Sequence, residues 1–252
     1  MNILRVTVAA LLLSASFVVE AQTIPQSDLE KSVVQISLLK PDGTFVGLGT
    51  GFFVRDDGLV ITAFHVYASA IQGIAESRGG TIMATRVSRE VPGNLTYTSL
   101  QLVNADTAHD LALLKLTTLD TKSWDLVGGI HSLKLSTETN LKTGTNLTAV
   151  GYFGSDSLPL TLGAKLIGTA GAVIVPAAAG KPPVVAEEFL ADLKAFPGQS
   201  GSPVLLDDGT VIGVVLAMVP VTVQFNPQQV PTGFNRLAKV EFLQTLVASA
   251  PK

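Results

Sequence analysis

Short apolar runs of three to eight residues, separated by glycine, proline, aspartate or serine, recur along most of this chain of 252 residues. Runs of that length favour strands, and their even spacing is the habit of antiparallel barrels and sandwiches. Val33–Leu39 ends at the Pro41-Asp42-Gly43 turn. Phe52–Val54 and Leu59–Thr62 flank Arg55–Gly58, which reads as a hairpin with Asp57-Gly58 at its tip. Leu111–Leu116, Asn146–Tyr152, Leu160–Ile167, Val173–Val175, Val204–Leu206, Val211–Leu216 and Val219–Phe225 continue the pattern. Helical spacing breaks in twice. One stretch is His65–Glu76. The other is Asn235–Ala248, with Leu237, Val240, Phe242, Leu243, Leu246 and Val247 on one side and Asn235 as a cap. Trp124–Ile130 lies between two strand-rich halves and is the expected junction. Pro176–Pro183 reads as an exposed loop. An all-β chain with a terminal helix follows.

The first segment reads differently. Met1–Ala21 has a positive end at Arg5, a 14-residue apolar run at Val6–Val19, and small residues at Val19 and Ala21. That is the pattern of a secretory leader. Fourteen residues fall short of the ~20 that span hydrocarbon. The expectation is a chain cut near Gln22, exported to the periplasm or outside the cell, with no membrane span afterwards. Charge and cysteine content narrow the partners. Seventeen Lys and Arg against 20 Asp and Glu leave a net charge of -3, without the basic footprint that nucleic acid requires. The absence of cysteine excludes disulfides, a cysteine nucleophile, iron–sulfur clusters and thiolate zinc sites. Three histidines, His65, His109 and His131, leave little for a metal site, so no metal and no cofactor is expected.

Three strings hold the residues with chemistry: Gly49–Val66 (GTGFFVRDDGLVITAFHV), His109–Leu116 (HDLALLKL) and Pro197–Val215 (PGQSGSPVLLDDGTVIGVV). Each supplies one member of a possible Ser/His/Asp set: His65, Asp110 and Ser200. A serine hydroxyl needs a base, a neutral imidazole serves near pH 7, and a buried carboxylate holds that imidazole in the useful tautomer. Small residues around Ser200 allow a sharp turn, from which the N–H groups of Gly198 and Ser200 can face a developing oxyanion. Each string alone also reads as ordinary structure. Gly198–Gly201 could be a plain turn, His65 a satisfied histidine at a strand end, and His109 a packing or surface residue. The strand-like Val204–Leu206 does not provide the strand–GxSxG–helix setting of an esterase-type hydrolase.

Taken together, the strings resemble the chymotrypsin-fold serine peptidases, and among them the cysteine-free bacterial HtrA/Deg-type enzymes. Gly49–Val66 is similar to that family's lead into its catalytic histidine. His109–Leu116 is similar to its Asp-containing strand, and Ala191–Ser200 to its Asp-to-Ser segment. The order His, Asp, Ser and the separations of 45 and 90 residues agree with the family. The resemblance covers about Val33–Phe234. It implies two perpendicular six-stranded barrels, one over about 28–123 and one over about 130–234, then a helix over about 235–248. It also implies a triad of His65, Asp110 and Ser200, an oxyanion hole at Gly198 and Ser200, and polypeptide substrates. The pocket for the side chain before the scissile bond would be shaped by Lys194, Ala195, Phe196, Leu216, Ala217 and Met218. Most of these are apolar, so a small or medium aliphatic side chain is expected there, with Lys194 keeping its charge in water; a Lys194 ammonium pointing into the pocket would instead favour acidic side chains.

Three residues depart from the family pattern. Phe64 stands where a small or polar residue precedes the histidine. Ser202 replaces the second glycine after the nucleophile. Gln199 replaces the aspartate that binds a freed N-terminus in zymogen-activated enzymes, so such activation is not expected. No peptide-binding domain is expected after the terminal helix. A second reading of the same residues is a catalytically weak binding protein on this fold.

Overall fold

The computed structural model describes residues 25–87, 95–154, 158–175, 184–222 and 229–251. The expected leader and the expected loop at Pro176–Pro183 lie outside them. Twelve strands and four helices follow one another among the described residues. A short helix α1 (Gln26–Ser32) leads into β1 (Val33–Leu39), β2 (Phe45–Arg55) and β3 (Leu59–Ala63). Helix α2 (Phe64–Glu76) precedes β4 (Thr81–Val87), β5 (Leu95–Asp106) and β6 (Leu111–Leu116). These six strands close into a barrel in the order β1-β2-β3-β6-β5-β4. A one-turn helix α3 (Thr121–Asp125) lies at the expected junction.

The second barrel uses β7 (Asn146–Gly151), β8 (Leu160–Val175), β9 (Val184–Ala191), β10 (Pro203–Leu205), β11 (Val211–Thr222) and β12 (Gln229–Lys239). It closes in the order β10-β11-β12-β9-β8-β7. Helix α4 (Val240–Ala248) follows β12 directly. It begins five residues later than the apolar spacing predicts. Asn235, Arg236 and Leu237 pair with Ala191, Leu190 and Phe189 of β9, so those residues complete a strand.

Two cores follow from strand alternation. Barrel two is filled by Leu147, Leu166, Phe189, Val204, Ile212, Val215 and Leu237. A larger cluster fills barrel one and continues across to Val150, Tyr152, Leu205, Val214 and Leu216. Neighbours Val214 and Val215 therefore face different cores. Helix α4 joins the two halves: Leu243 and Leu246 enter the larger cluster, and Gln244 donates to the Ser136 carbonyl at 2.6 Å.

One charge is buried in barrel one. The Arg86 guanidinium donates to the carbonyls of Val33 (3.1 Å), Gly129 and Lys31, and lies over the rings of Phe53 and Trp124 at 5.5 and 5.1 Å. Among the described residues, three carbonyls and two ring faces surround it in place of a carboxylate partner. Burial holds its pKa down to about 10.

Candidate active site

Strand β3 passes into α2 with no intervening loop, so His65 sits in the first helical turn, at a barrel rim. The helix has no side-chain cap of its own and no acidic residue in that turn. Asp110 supplies the cap from another element. Its carbonyl accepts the N–H of Phe64 at 2.8 Å, and its Oδ1 accepts the N–H of His65 at 2.8 Å. Its Oδ2 lies 2.7 Å from His65 Nδ1. A carboxylate only accepts, so Nδ1 carries a proton, and in the neutral imidazole Nε2 is then the nitrogen with the lone pair. One carboxylate thus fixes both the backbone and the ring of His65.

Asp110 reaches this position from the turn before β6, not from within an apolar strand. Its φ of 54° lies in the left-handed region, where Asp is tolerated better than most residues. His109 points elsewhere: its Nδ1 is 2.6 Å from Asp106 Oδ2, and its ring stacks on Phe242 of α4 at 3.5 Å. It is a packing residue, as its place in the string predicts.

Ser200 comes from barrel two, on the loop before β10. Its carbonyl accepts the N–H of Thr50 in β2 at 2.8 Å. At Gly201, whose φ is 87°, a side chain would run into the carbonyl of Thr50 and the hydroxyl of Thr62, with the N–H of Ala63 3.1 Å away. That close approach puts the Ser200 loop against the end of β3, two residues before His65. The Ser200 hydroxyl donates to the carbonyl of Leu216 at 3.1 Å.

The loop Pro197–Ser200 has a partner for every carbonyl. Pro197 O accepts from Gly154 N (3.4 Å), Gly198 O from Thr50 Oγ1 (2.8 Å), Gln199 O from Ser202 N (3.0 Å) and Ser200 O from Thr50 N. In a trans peptide the N–H points opposite to the carbonyl. The N–H groups of Gly198 and Ser200 are thereby turned away from these partners, and neither has an acceptor among the described residues. Open N–H donors on either side of Gln199, one of them on the serine itself, are the chemistry that holds an oxyanion.

The departures from the family pattern fit this geometry. Phe64 is half-buried against the larger core and tilts on Tyr67 at 6.2 Å, leaving His65 in place. Gln199 is buried and its Oε1 accepts the Phe196 N–H at 3.0 Å, closing the turn. Ser202 is buried against Gly151, where any side chain would strike its hydroxyl.

The expected pocket residues are less uniform. Lys194 is exposed, Ala195 is half-buried and Ala217 is exposed. The Leu216 side chain belongs to the larger core, so it faces Ser200 with its carbonyl only. The side chain of Met218 lies outside the description. The Phe196 ring meets Phe153 edge-on at 5.3 Å. A cleft of about 480 Å³ opens beside them, lined by Phe45, Val46, Gly47, Leu48, Gly154, Pro197 and Gly198. Asn235, whose Nδ2 donates to the Leu193 carbonyl, and Arg236, held by both oxygens of Glu188, stand opposite Met218 and Ala217 across β11–β12. The sequence marks neither, since both read as helix. The Glu188 hydrogen bond, then the charges of Glu188 and Asp110, raise the pKa of Arg236. Among the described residues, no cluster of three or more His, Asp or Glu side chains could hold a metal ion, and no helix is long and apolar enough to cross a membrane.

A trypsin-like peptidase domain model matches residues 49–214, and the chain belongs to that family. It is 28% identical over 168 residues to a protein named "probable periplasmic serine endoprotease DegP-like" of Pseudomonas fulva, covering 66% of this chain and 28% of that protein. It is 26% identical over 200 residues to the magnetosome formation protease MamE of Magnetospirillum gryphiswaldense, covering 73% of this chain and 22% of that protein. The chain thus spans about a quarter of the length of these relatives. Among solved structures, the active form of the Rv3671c protease from M. tuberculosis superposes with a TM-score of 0.62 at 21% identity, over 90% of this chain and 85% of that one. The two barrels are those of a chymotrypsin-like fold.

Proposed function

We propose that this protein is an exported serine endopeptidase, with Ser200 as nucleophile, His65 as base and then acid, and Asp110 as the group that orients His65. The observation that carries this reading is the double hold of Asp110 on His65, which leaves Nε2 as a free base at the rim where the Ser200 loop packs. The Ser200 hydroxyl leaves Leu216 O by a side-chain rotation, passes its proton to Nε2 and attacks the scissile carbonyl. The N–H groups of Gly198 and Ser200 receive the oxyanion, a contribution of about 3–4 kcal/mol per donor. The imidazolium then returns the proton to the leaving amine, and water hydrolyses the acyl-enzyme by the same relay in reverse.

The substrates are polypeptides. An exposed Lys194 and apolar Ala195 and Ala217 favour a small or medium aliphatic side chain before the cut. The apolar segment at 6–19 and the periplasmic name of one relative support export. A weak binding protein would have no use for the clamp on His65 or for the two open donors. The test is hydrolysis of casein by the purified chain beside Ser200→Ala. Loss of activity in the variant, on the order of 10⁶-fold, supports the reading; equal cleavage by both proteins refutes it. Cleavage-site profiling of a peptide library then reads the preference directly, with Val, Ala or Leu expected before the cut and Arg or Lys contradicting the aliphatic slot.

A further inference from the structure

We propose that Thr50, on barrel one, is a positioning residue for the oxyanion-binding loop of barrel two, acting through its side-chain hydroxyl; this rests on the peptidase reading above. Thr50 is fully buried, and each of its polar groups is in use. Its N–H donates to Ser200 O at 2.8 Å. Its hydroxyl donates to Gly198 O at 2.8 Å and accepts the N–H of Tyr152 at 2.9 Å. Its carbonyl accepts from Thr62 Oγ1 at 2.7 Å. Three of these four bonds cross from one barrel to the other.

The placement of these bonds gives them a chemical meaning. The two open donors are the N–H groups of Gly198 and Ser200. Between them lies the peptide joining Gly198 to Gln199, and its carbonyl is the one held by the Thr50 hydroxyl. Gly198 has a φ of 100°, a conformation that glycine enters and leaves at little cost. That peptide links the planes that carry the two donors, so any change in ψ of Gly198 or φ of Gln199 that the other does not offset swings one donor away from the other. The hydroxyl opposes such a change from the Gly198 side, and the Thr50 N–H anchors the loop at the carbonyl of Ser200, the residue that carries the second donor.

The test compares Thr50→Val, which keeps the shape and removes the hydroxyl, with Thr50→Ser, which keeps the hydroxyl. Both are assayed with a fluorogenic peptide and with a short peptide boronic acid, whose tetrahedral adduct places an oxygen in the oxyanion hole. Thr50→Val should lower kcat about 10–100-fold with KM within about threefold, and weaken the boronate by a similar factor. Thr50→Ser should stay within about threefold of wild type on both. A merely structural threonine would lower the folding midpoint without separating kcat from KM. Because Thr50→Val leaves Gly198 O and Tyr152 N–H without a partner, thermal unfolding is measured alongside, with Thr50→Ala as a variant that has room for a bridging water. If Val and Ala variants both fail to fold, the hydroxyl is a folding element and the proposal is overturned. An active wild type whose Thr50→Val variant keeps kcat and boronate affinity overturns it alone. A wild type that neither cleaves nor binds the boronate overturns the peptidase reading, and this proposal with it.

Discussion

Asp110 takes two hydrogen bonds from His65, one from the backbone N–H at 2.8 Å and one from ring Nδ1 at 2.7 Å. The first caps helix α2 and the second sets the tautomer, so one carboxylate links the fold of the rim to the state of the base. Asp110→Asn separates the two functions. The amide oxygen can still accept the backbone N–H, while the amide nitrogen turned to the ring donates and forces the proton onto Nε2. We expect kcat to fall about 10⁴-fold. The thermal midpoint should move little. Circular dichroism melts beside steady-state kinetics check both halves of this expectation, and a large loss of stability with retained activity would contradict it.

A second prediction concerns Arg86, whose buried guanidinium has no carboxylate partner among the described residues. Arg86→Met leaves the carbonyls of Lys31, Val33 and Gly129 without donors while filling part of the space. Hydrogen bonds to a charged group contribute about 1.5–3 kcal/mol each, and stranded buried acceptors cost a comparable amount. The expected loss is on the order of 3 kcal/mol, read from urea unfolding at neutral pH. None of its hydrogen-bond partners among the described residues, Lys31, Val33 and Gly129, belongs to the triad, so the folded fraction should keep most of its kcat.

A third concerns activation. In Gln199 a neutral amide stands in the loop, and its Oε1 is already occupied by the Phe196 N–H at 3.0 Å. No carboxylate awaits an N-terminal ammonium there. A chain starting at Gln22 and one with a short extension ahead of it should hydrolyse the same peptide at rates within about twofold. A strong loss on extension would show that the new amino terminus takes part.

Much of the fold is legible in the sequence where apolar residues decide it. Val33–Leu39 and Leu111–Leu116 match β1 and β6, since both are nearly all buried. Strand β5 was harder to see, because its residues Leu95–Asp106 are largely polar and bury only alternate positions near its start. Asn235–Lys239 looked helical because its apolar residues run on into α4, and only pairing with β9 and β11 makes it a strand. The apolar runs from Val211 and from Val219 join in one long β11 through Thr222, paired with β12 from Gly213 onward, while residues 223–225 lie outside the described residues. At the site, the three strings marked His65, Asp110 and Ser200. They did not mark Thr50, whose hydroxyl meets a carbonyl 148 residues away. Nor did they place Asp110 in a turn at positive φ, which follows from the cap it provides and not from its neighbours.

The central claim is that Ser200 is a nucleophile activated by His65. Labelling with a fluorophosphonate probe tests it most directly, because the probe reacts only with a serine whose proton is removed and whose oxyanion is held. Wild type should take up one equivalent on the peptide containing Ser200, His65→Ala should react far more slowly, and Ser200→Ala should not react. Absence of labelling in folded wild type, or equal labelling of Ser200→Ala, would contradict the account.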